Sequence, residues 1–321
     1  MADLAKTPFV RELASSDKKI RDKATDSLAL FLRSRTDLSL LELLKLWKGL
    51  FFCFYHSDRP LTQQALARNL SYTLVPTLPR ATVHRFLRAF WITIGREWHS
   101  IDRLRLDKYL LLIRSYVGVG FQIFLKSGST STSTSTQQTN GSTKKRKREE
   151  TAKSKKKRSS KSKRDTQPDS DNDSDNPPNE PWSDLQSYIT LLSEGPLNPL
   201  NFNPAEPTAD EKNGVIPMPH GPDGLRYHVL DVWIDELEKV LDIDSETGKP
   251  KKSVDDIPVE ILLAPVEKLK REGLHKPVRI RAGETLSDER LVQWGFREGK
   301  VIEDEESEDE SEEEWGGFGD D

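Results

Sequence analysis

Apolar positions in the first 126 residues recur at the spacing of α-helices, and short polar turns separate the helices. Ser16 is predicted to open a helix after a first short one at Thr7 and Pro8. The apolar residues on one face of that helix are Ile20, Ala24, Leu28, Phe31 and Leu32. Ser39 and Glu42 form a capping box, which predicts a helix that runs to about residue 56. Because this helix is apolar on nearly every side, neighbouring helices must flank it.

Further helices are predicted on both sides of the middle of the chain. Their ranges are 60 to before Pro76, about 80–99, about 102–125, 182–192, 225–241, 259–272 and 287–297. Segments of ~20 residues that pair into units of ~40 have the length of HEAT and armadillo hairpins. We predict an all-α fold of such hairpins, with a compact helical bundle as the alternative. The later helices are too small for a separate core and should pack back on the earlier ones.

Between the two helical parts the chain loses its apolar positions. Residues 127–181 are rich in Ser and Thr, then basic, then acidic. Such a segment cannot bury enough apolar surface to offset the entropy lost on ordering, so we predict a disordered linker. The predicted organisation is a helical part at 1–126, this linker, helices at 182–302 that complete the same domain, and a disordered acidic tail at 303–321.

Charge is divided along the chain, although the formal net charge of the 321 residues is only −4. Residues 1–126 carry 21 Lys and Arg against 11 Asp and Glu, and residues 127–164 carry 13 against 2. Residues 165–321 carry 15 against 40. Basic segments suit phosphate backbones, whereas acidic tails suit basic proteins. The division therefore indicates a nucleic acid or a basic protein as partner.

Motifs of enzymes and metal sites are absent from the sequence. No two histidines lie four residues apart, and Cys53 is the single cysteine, so no disulfide framework is possible. Its neighbours are aromatic, which predicts a core position for Cys53. Gly118–Gly120 lacks the third glycine of a dinucleotide-binding loop and lies in an apolar helix. Charged residues interrupt the apolar stretch 40–55, which argues against a membrane span. We predict a protein that is no enzyme and has no cofactor, metal, small-molecule substrate or membrane partner.

Two basic clusters in the linker are typical of nuclear import signals. They consist of Lys144, Lys145, Arg146, Lys147 and Arg148, and of Lys155, Lys156, Lys157 and Arg158. A solvated charge run that binds RNA without sequence preference is the alternative.

Serines that lie among carboxylates are candidate phosphorylation sites, because acidophilic kinases favour that setting. They are Ser170, Ser174, Ser307 and Ser311. A plain acidic spacer that keeps the chain in solution is the alternative. Trp315 and Phe318 follow the acidic run of the tail, where they could form a short docking motif or have no role.

Arginines on two long helices are the candidate RNA contacts. Arg85, Arg88 and Arg96 are predicted to share one face of helix 80–99, and Arg103 and Arg114 one face of the next helix. Guanidinium groups in a rigid row can bind phosphates bidentately, which supports docking on structured RNA. A solvated face with ordinary ion pairs is the alternative. The aromatic residues predicted to be core rather than base-stacking platforms are Trp47, Phe51, Phe90, Trp91 and Trp98.

Four long blocks carry a resemblance. They are LWKGLFFCFYHSDRPLTQQALA (46–67), REWHSIDRLRLDKYLLLIRSYV (96–117), FVRELASSDKKIRDKATDSLALFL (9–32) and GLRYHVLDVWIDEL (224–237). They resemble the nucleolar ribosomal RNA-processing protein one (Nop52) family in the same order, and they span the chain outside the linker and the tail. His56 stands where a Trp or Met is expected before Ser-Asp, which affects only local packing.

The resemblance implies an all-helical, HEAT-like nucleolar factor of early pre-60S particles. Such a factor is needed to process the precursor of the large-subunit rRNA. It acts without known catalysis, beside ribosomal proteins and assembly factors that include a WD-repeat protein and a Brix-domain protein. We therefore expect a non-catalytic scaffold in the nucleus and nucleolus. The alternatives are a histone chaperone or chromatin adaptor that uses the acidic tail, and a nuclease without a recognisable motif.

Overall fold

The computed structural model describes residues 8–135, 182–200, 216–244 and 246–298, and these form helices without a strand. The helices are α1 (Pro8–Leu13), α2 (Lys18–Arg33), α3 (Leu40–Tyr55), α4 (Pro60–Arg68), α5 (Arg80–Glu97), α6 (Leu106–Ser135), α7 (Ser183–Glu194), α8 (Asp223–Glu238), α9 (Val259–Glu272), α10 (Lys276–Leu286) and α11 (Glu289–Gln293). The predicted all-α fold is confirmed. The two basic clusters, the four candidate serines, the tail and most of the predicted linker lie outside the described residues.

Successive helices alternate between two layers. In one layer α1, α3, α5, α7 and α9 contact one another in turn, and in the other α4, α6, α8 and α10 do the same. This alternation is the arrangement of stacked HEAT-like hairpins, in which each unit contacts its neighbours in the stack. Buried side chains from both helical parts of the sequence belong to a single hydrophobic core.

The core of the first layer is built around α3. Ser39 begins it as predicted, because its hydroxyl accepts from the Glu42 amide at 3.3 Å and the Glu42 carboxylate accepts from the Ser39 amide at 2.9 Å. Trp47 donates from Nε1 to the carbonyl oxygen of Phe86 at 3.1 Å. Cys53 is buried, and burial raises the pKa of its thiol. The predicted core aromatics Trp47, Phe51, Phe90 and Trp91 are buried, whereas Trp98 is half-buried.

The long helix α6 is the centre of the second layer. Its segment Leu106–Lys126 has the length and hydropathy of a membrane span, but it is packed between α4 and α8 and 67% of its most apolar window is buried. Its glycines allow close packing instead of cofactor binding. A Cβ atom at Gly118 would collide with the Tyr72 hydroxyl, and one at Gly120 with the Tyr188 ring.

The structure corrects several predicted boundaries. Asp17 and not Ser16 is the N-cap of α2, since its carboxylate accepts from the Lys19 amide at 2.8 Å. α6 continues to Ser135, past the predicted end near residue 125. Helix α10 was not predicted, because its 11 residues bury few apolar side chains and include a glycine. The predicted helix 287–297 is reduced to the short α11.

Candidate nucleic-acid interface

Helix α5 divides the predicted arginine row between two surfaces. At 100° per residue, Arg85 and Arg96 lie only about 20° apart around the helix, whereas Arg88 lies about 60° or more from both. The side chains follow this division. Arg88 reaches α7, while Arg85 reaches the connection between α2 and α3. The three arginines therefore do not form a single row along α5, although Arg85 and Arg88 both line the cavity between α5 and α7.

On the side of α5 that faces α7, carboxylates pair with two arginines. Arg80 donates from Nε to Asp184 Oδ2 at 2.9 Å, and Arg88 donates from Nη1 to Glu194 Oε2 at 2.9 Å. His84 lies between them with Nε2 3.7 Å from Asp184 Oδ1, which is too far for a hydrogen bond. Burial lowers the pKa of His84 although Asp184 opposes the shift, so the ring is neutral at pH 7. This side joins α5 to α7.

The other side of α5 keeps most of its positive charge. Arg85 donates from Nη2 to the carbonyl oxygen of Thr36 at 2.8 Å, so a neutral acceptor orients it. Arg33 donates from Nε to a threonine hydroxyl in the turn before α5 at 2.9 Å. Arg35 pairs with the exposed Asp37 at 3.2 Å. Arg33, the last residue of α2, and Arg35, in the loop after it, thus add two guanidinium groups near Thr36, which Arg85 contacts. Sequence reasoning missed them because no helical spacing joins them to α5.

Helix α3 adds two lysines along its contact with α5. Lys48 Nζ lies 2.5 Å from Glu97 Oε1, and Lys45, one turn earlier, is exposed. Arg96 is exposed in the last turn of α5 and has no ion pair within the described part of the chain. We call this surface the α3–α5 basic seam, and it consists of Arg33, Arg35, Lys45, Lys48, Arg85 and Arg96.

Arg114 lies apart from the seam, in the contact between α6 and α8. It donates from Nε to Glu236 Oε1 at 2.5 Å and from Nη2 to Asp235 Oδ2 at 3.0 Å. Burial works against its charge, but the two carboxylates outweigh it and raise the pKa of Arg114. The Glu236 side chain is 1% exposed and needs a cation beside it. This environment assigns Arg114 to the packing of α8, and its predicted RNA contact stays a prediction.

Arg103 precedes α6 instead of lying on it, so the predicted face shared by Arg103 and Arg114 is wrong. The helix begins at Leu106, and the residues before it form a turn. In this turn the Asp102 carboxylate and the Asp102 carbonyl oxygen both accept from the Arg105 amide, each at 3.0 Å. Arg103 is exposed on this turn.

The seam has the properties of a surface that binds phosphate groups. A guanidinium carries five N–H donors, so an arginine that makes one or two hydrogen bonds can still donate to a ligand. Helices hold the cations at fixed spacing, which lowers the ordering cost on binding. Among the residues that the structure describes, no three His, Cys, Asp or Glu side chains are placed to hold a metal ion.

The stacked helices and the basic seam define a class of protein, namely an all-helical, HEAT-like protein with a surface suited to phosphate groups. A family described as "Nucleolar protein, Nop52" matches residues 4–141 and 211–317, which is more than half of the chain. The chain belongs to the Nop52 family. The resemblance expected from the sequence is confirmed, and the expected nucleolar localisation is that of the family.

Curated relatives carry the name of an rRNA-processing protein. The chain is 41% identical over 129 residues to ribosomal RNA processing protein 1 homolog B of Homo sapiens. This match covers 39% of the chain and 17% of the relative. Homolog A of Homo sapiens is 37% identical over 125 residues, 37% of this chain and 27% of the relative. The Dictyostelium discoideum homolog is 34% identical over 89 residues, 28% and 18% respectively. The match therefore spans less than a third of each relative.

Proposed function

We propose that the chain is a non-catalytic assembly factor of the large ribosomal subunit. It acts in rRNA processing in the nucleolus, where its helices dock on pre-60S RNA and on neighbouring assembly factors. The observation that carries this proposal is the α3–α5 basic seam, in which neutral oxygen atoms and not carboxylates orient Arg33 and Arg85. Family membership and the names of the relatives support the role in rRNA processing.

RNA is the partner that suits such a surface. The phosphate backbone carries a high density of negative charge, and cations that neutralise it release counterions. Arginine binds phosphates bidentately, which fixes the orientation of a helix on RNA. Two carboxylates near the seam, Asp37 and Glu97, already pair with a cation, Arg35 and Lys48 respectively, and a third, Glu42, caps α3.

The rest of the chain adds functions to this scaffold. The helical parts at 1–126 and 182–302 act as one domain, joined by the linker 127–181, whose first residues continue α6 to Ser135. The basic clusters of the linker direct nuclear entry, and the tail at 303–321 binds basic ribosomal proteins. Phosphorylation of the candidate serines would strengthen the negative charge around them. A WD-repeat protein and a Brix-domain protein are the expected neighbours. The proposal assigns no catalytic step to this chain, and its relatives are named for the processing of ribosomal RNA.

The test is UV cross-linking of the tagged full chain to RNA in cells, together with sedimentation on gradients. The variant carries Arg85→Glu and Arg96→Glu, which reverse two charges of the seam. The matched control carries Lys268→Glu and Lys270→Glu, which reverse two exposed charges on α9. We expect the first variant to lose discrete rRNA cross-links and co-sedimentation with pre-60S particles, while the control keeps both.

Two outcomes contradict the proposal. Unchanged co-sedimentation of the Arg85→Glu, Arg96→Glu variant would remove the seam from the RNA contact. Purification at moderate salt with histones instead of pre-ribosomal particles would favour a chromatin adaptor that uses the acidic tail.

A further inference from the structure

A second cluster of basic side chains lies on α9 and α10. Residues 268–281 contain six Lys and Arg and a single acidic residue. Lys270 and Arg271 are exposed in the last turn of α9, and Lys276 is exposed in the first turn of α10. The side chain of Lys270 lies against α10, with its Cε 3.9 Å from the position that a Cβ atom would take at Gly283. The cluster therefore spans the two helices.

Arg279 completes this cluster from α10. It donates from Nη1 to the carbonyl oxygens of Gly273 and Leu274 at 2.8 and 3.2 Å, so neutral oxygen atoms orient it. Its charge has no carboxylate partner in the described part of the chain. We call the cluster the α9–α10 basic surface, and it consists of Lys270, Arg271, Lys276 and Arg279.

The carboxylates around this surface leave most of its charge unpaired. Glu272 pairs with Arg271 at 2.7 Å, and Glu284 lies 3.9 Å from Arg281. Glu260 is exposed in the first turn of α9, ten residues and thus about 15 Å along the helix axis from the nearest lysine of the surface. The members without an ion pair among the described residues are Lys270, Lys276 and Arg279.

The helix dipoles account for only part of this charge. Lys270 and Arg271 lie at the C-terminal end of α9, where a cation is favoured. Lys276 is the first residue of α10, where the dipole disfavours a cation, and the first turn of α10 contains no acidic residue to offset it. An anion that covers the surface would therefore remove an unfavourable charge as well as add ion pairs.

The described part of the chain ends beside this surface. Arg297 donates to Glu267 on α9. Lys270 and Arg271 follow Glu267 by three and four residues, so they lie on the same side of α9, one turn further on. Glu303, which begins the acidic run of the tail, is six residues after Arg297. Its Cα atom therefore lies no more than about 20 Å from that of Arg297.

The acidic run is the anion that fits best. Residues 303–314 contain ten Asp and Glu and no Lys or Arg. The acidic stretch before α7, residues 165–175, contains only five and directly follows the basic part of the linker. Attachment within six residues of α9 gives the run a high effective concentration at the surface, which an anion from another molecule does not have.

Apolar side chains border the surface and match the residue that follows the run. Leu274, in the turn between α9 and α10, is 59% exposed, and Ile280 is 51% exposed. Ile280 follows Lys276 by four residues, so the two share one side of α10. Trp315 comes directly after the acidic run. The phosphate groups of RNA would pair with the cations but leave both apolar side chains uncovered.

We propose that the acidic run 303–314 of this chain lies on the α9–α10 basic surface, with Trp315 against the exposed apolar side chains beside it. The contact goes beyond the role given to the tail above, because a basic ribosomal protein must displace the surface to bind the run. It also covers the surface against RNA. Reversal of Lys268 and Lys270 therefore frees the run and leaves the seam intact. The contact does not involve the seam, so it stands or falls independently of RNA binding there.

The first experiment places a photo-cross-linking amino acid at position 280 of the full chain in cells. The matched control places it at Leu30, which is 66% exposed on α2. We expect position 280, and not position 30, to cross-link to residues 303–318 of the same molecule. Co-expression of two differently tagged chains shows whether a cross-link joins two copies.

Other cross-links from position 280 would overturn the proposal. They are cross-links to RNA, to another protein, to a second copy of this chain or to residues 165–175. The absence of any cross-link would overturn it as well.

The second experiment measures the yield of this cross-link in the purified full chain. We expect Lys270→Glu with Lys276→Glu to lower the yield roughly tenfold, because two attractive charges become repulsive. The matched control is Lys19→Glu with Lys23→Glu, which reverses two exposed charges on α2 and should keep the yield. Since all four lysines are exposed, both variants should keep the melting temperature of the parent.

Two further measurements leave every helix unchanged. Replacement of the acidic residues of 303–314 by Gln and Asn should lower the yield at least as far as the lysine reversal does. The yield of the parent should also fall as salt rises from about 0.15 M to about 1 M, because salt screens exposed charges. A yield that survives the lysine reversal, the neutral run or the added salt would overturn the proposal.

Discussion

The α3–α5 basic seam and the contact between α6 and α8 each contain an arginine on a long helix, yet the two arginines have opposite surroundings. Arg85 donates to a backbone carbonyl and has no ion pair among the described residues. Arg114 donates to Asp235 and Glu236, and the second of these is almost fully buried. A row of arginines along one helix therefore does not by itself form a binding surface. The groups opposite each guanidinium decide whether it binds a partner or holds the fold.

This comparison predicts the largest effect for Arg114. Arg114→Ala leaves Glu236 buried with a weaker set of partners, since the remaining cation, Lys239, is itself more than half exposed. Removing one partner of a buried ion pair typically costs about 3 kcal/mol, and we expect a loss of this size in the free energy of unfolding. Chemical denaturation measures it.

The matched control for Arg114 is an ion pair in solvent. Arg281 donates to Asp231 with both side chains more than 40% exposed, and Arg281→Ala should cost less than about 1 kcal/mol. Equal losses for Arg114→Ala and Arg281→Ala would show that burial of Glu236 does not distinguish the two sites. RNA cross-linking per folded molecule should not change in Arg281→Ala, whereas a loss in Arg114→Ala would support the RNA contact predicted for Arg114.

The second prediction concerns the seam and appears in RNA binding instead of stability. Arg85→Glu with Arg96→Glu removes two cations that have no ion pair in the described part of the chain, so the slope of log K against log salt should fall by roughly 2. Affinity for large-subunit precursor RNA should fall by a factor on the order of 10 to 100. Fluorescence anisotropy over a range of salt concentrations measures both, and the free energy of unfolding should stay within about 0.5 kcal/mol of the parent.

The control for this prediction is again the pair Lys268→Glu and Lys270→Glu on α9. It changes net charge by the same amount at another surface. A fall in salt slope of the same size in the control would mean that total charge, and not the seam, drives RNA binding. Only a difference between the two variants supports a defined surface.

Sequence reasoning predicts interactions between residues that are close along the chain better than interactions between residues that are far apart along it. The capping box of Ser39 and Glu42 spans three residues, and the prediction from sequence was right. The partner of Arg114, Glu236, is 122 residues away, and no local pattern indicates that the two meet. Arg103 was placed on α6 because helical periodicity does not fix the residue at which a helix begins. Local hydrogen bonds and periodicity predicted the helices, whereas long-range packing decided which arginines stay open.

The third prediction tests the α7 side of α5. Arg88 pairs with Glu194 at 2.9 Å with side chains 30% and 49% exposed. Arg88→Ala should lower the free energy of unfolding by less than about 1 kcal/mol, because solvent screens this pair. RNA affinity should change far less than for the reversal of Arg85 and Arg96, since Glu194 already neutralises Arg88. A large loss of RNA binding in Arg88→Ala would extend the seam around the helix and contradict the division of α5 into two sides.

The smallest predicted effect is on the pH dependence of stability. It tests the α7 side of α5 alone, because on α5 only that side carries a histidine. Burial lowers the pKa of His84 below the ordinary value near 6.5, so the unfolded chain binds a proton more readily than the folded one. Stability should therefore rise with pH through this group. The loss of stability due to His84 is absent above about pH 6.5. It grows as the pH falls toward the pKa of His84 in the folded chain.

His84→Gln removes the titrating group, and the loss of stability between pH 7 and pH 5.5 should then be smaller by a few tenths of a kcal/mol. Denaturation of parent and variant at both pH values measures the difference. His228, whose pKa burial also lowers, titrates in both proteins and cancels in this comparison. An unchanged pH dependence would mean that Asp184 offsets the burial of His84 in full. In that case a protonated His84 ring would cost the folded chain no stability. The α7 side of α5 would then accept an added positive charge, as the seam does.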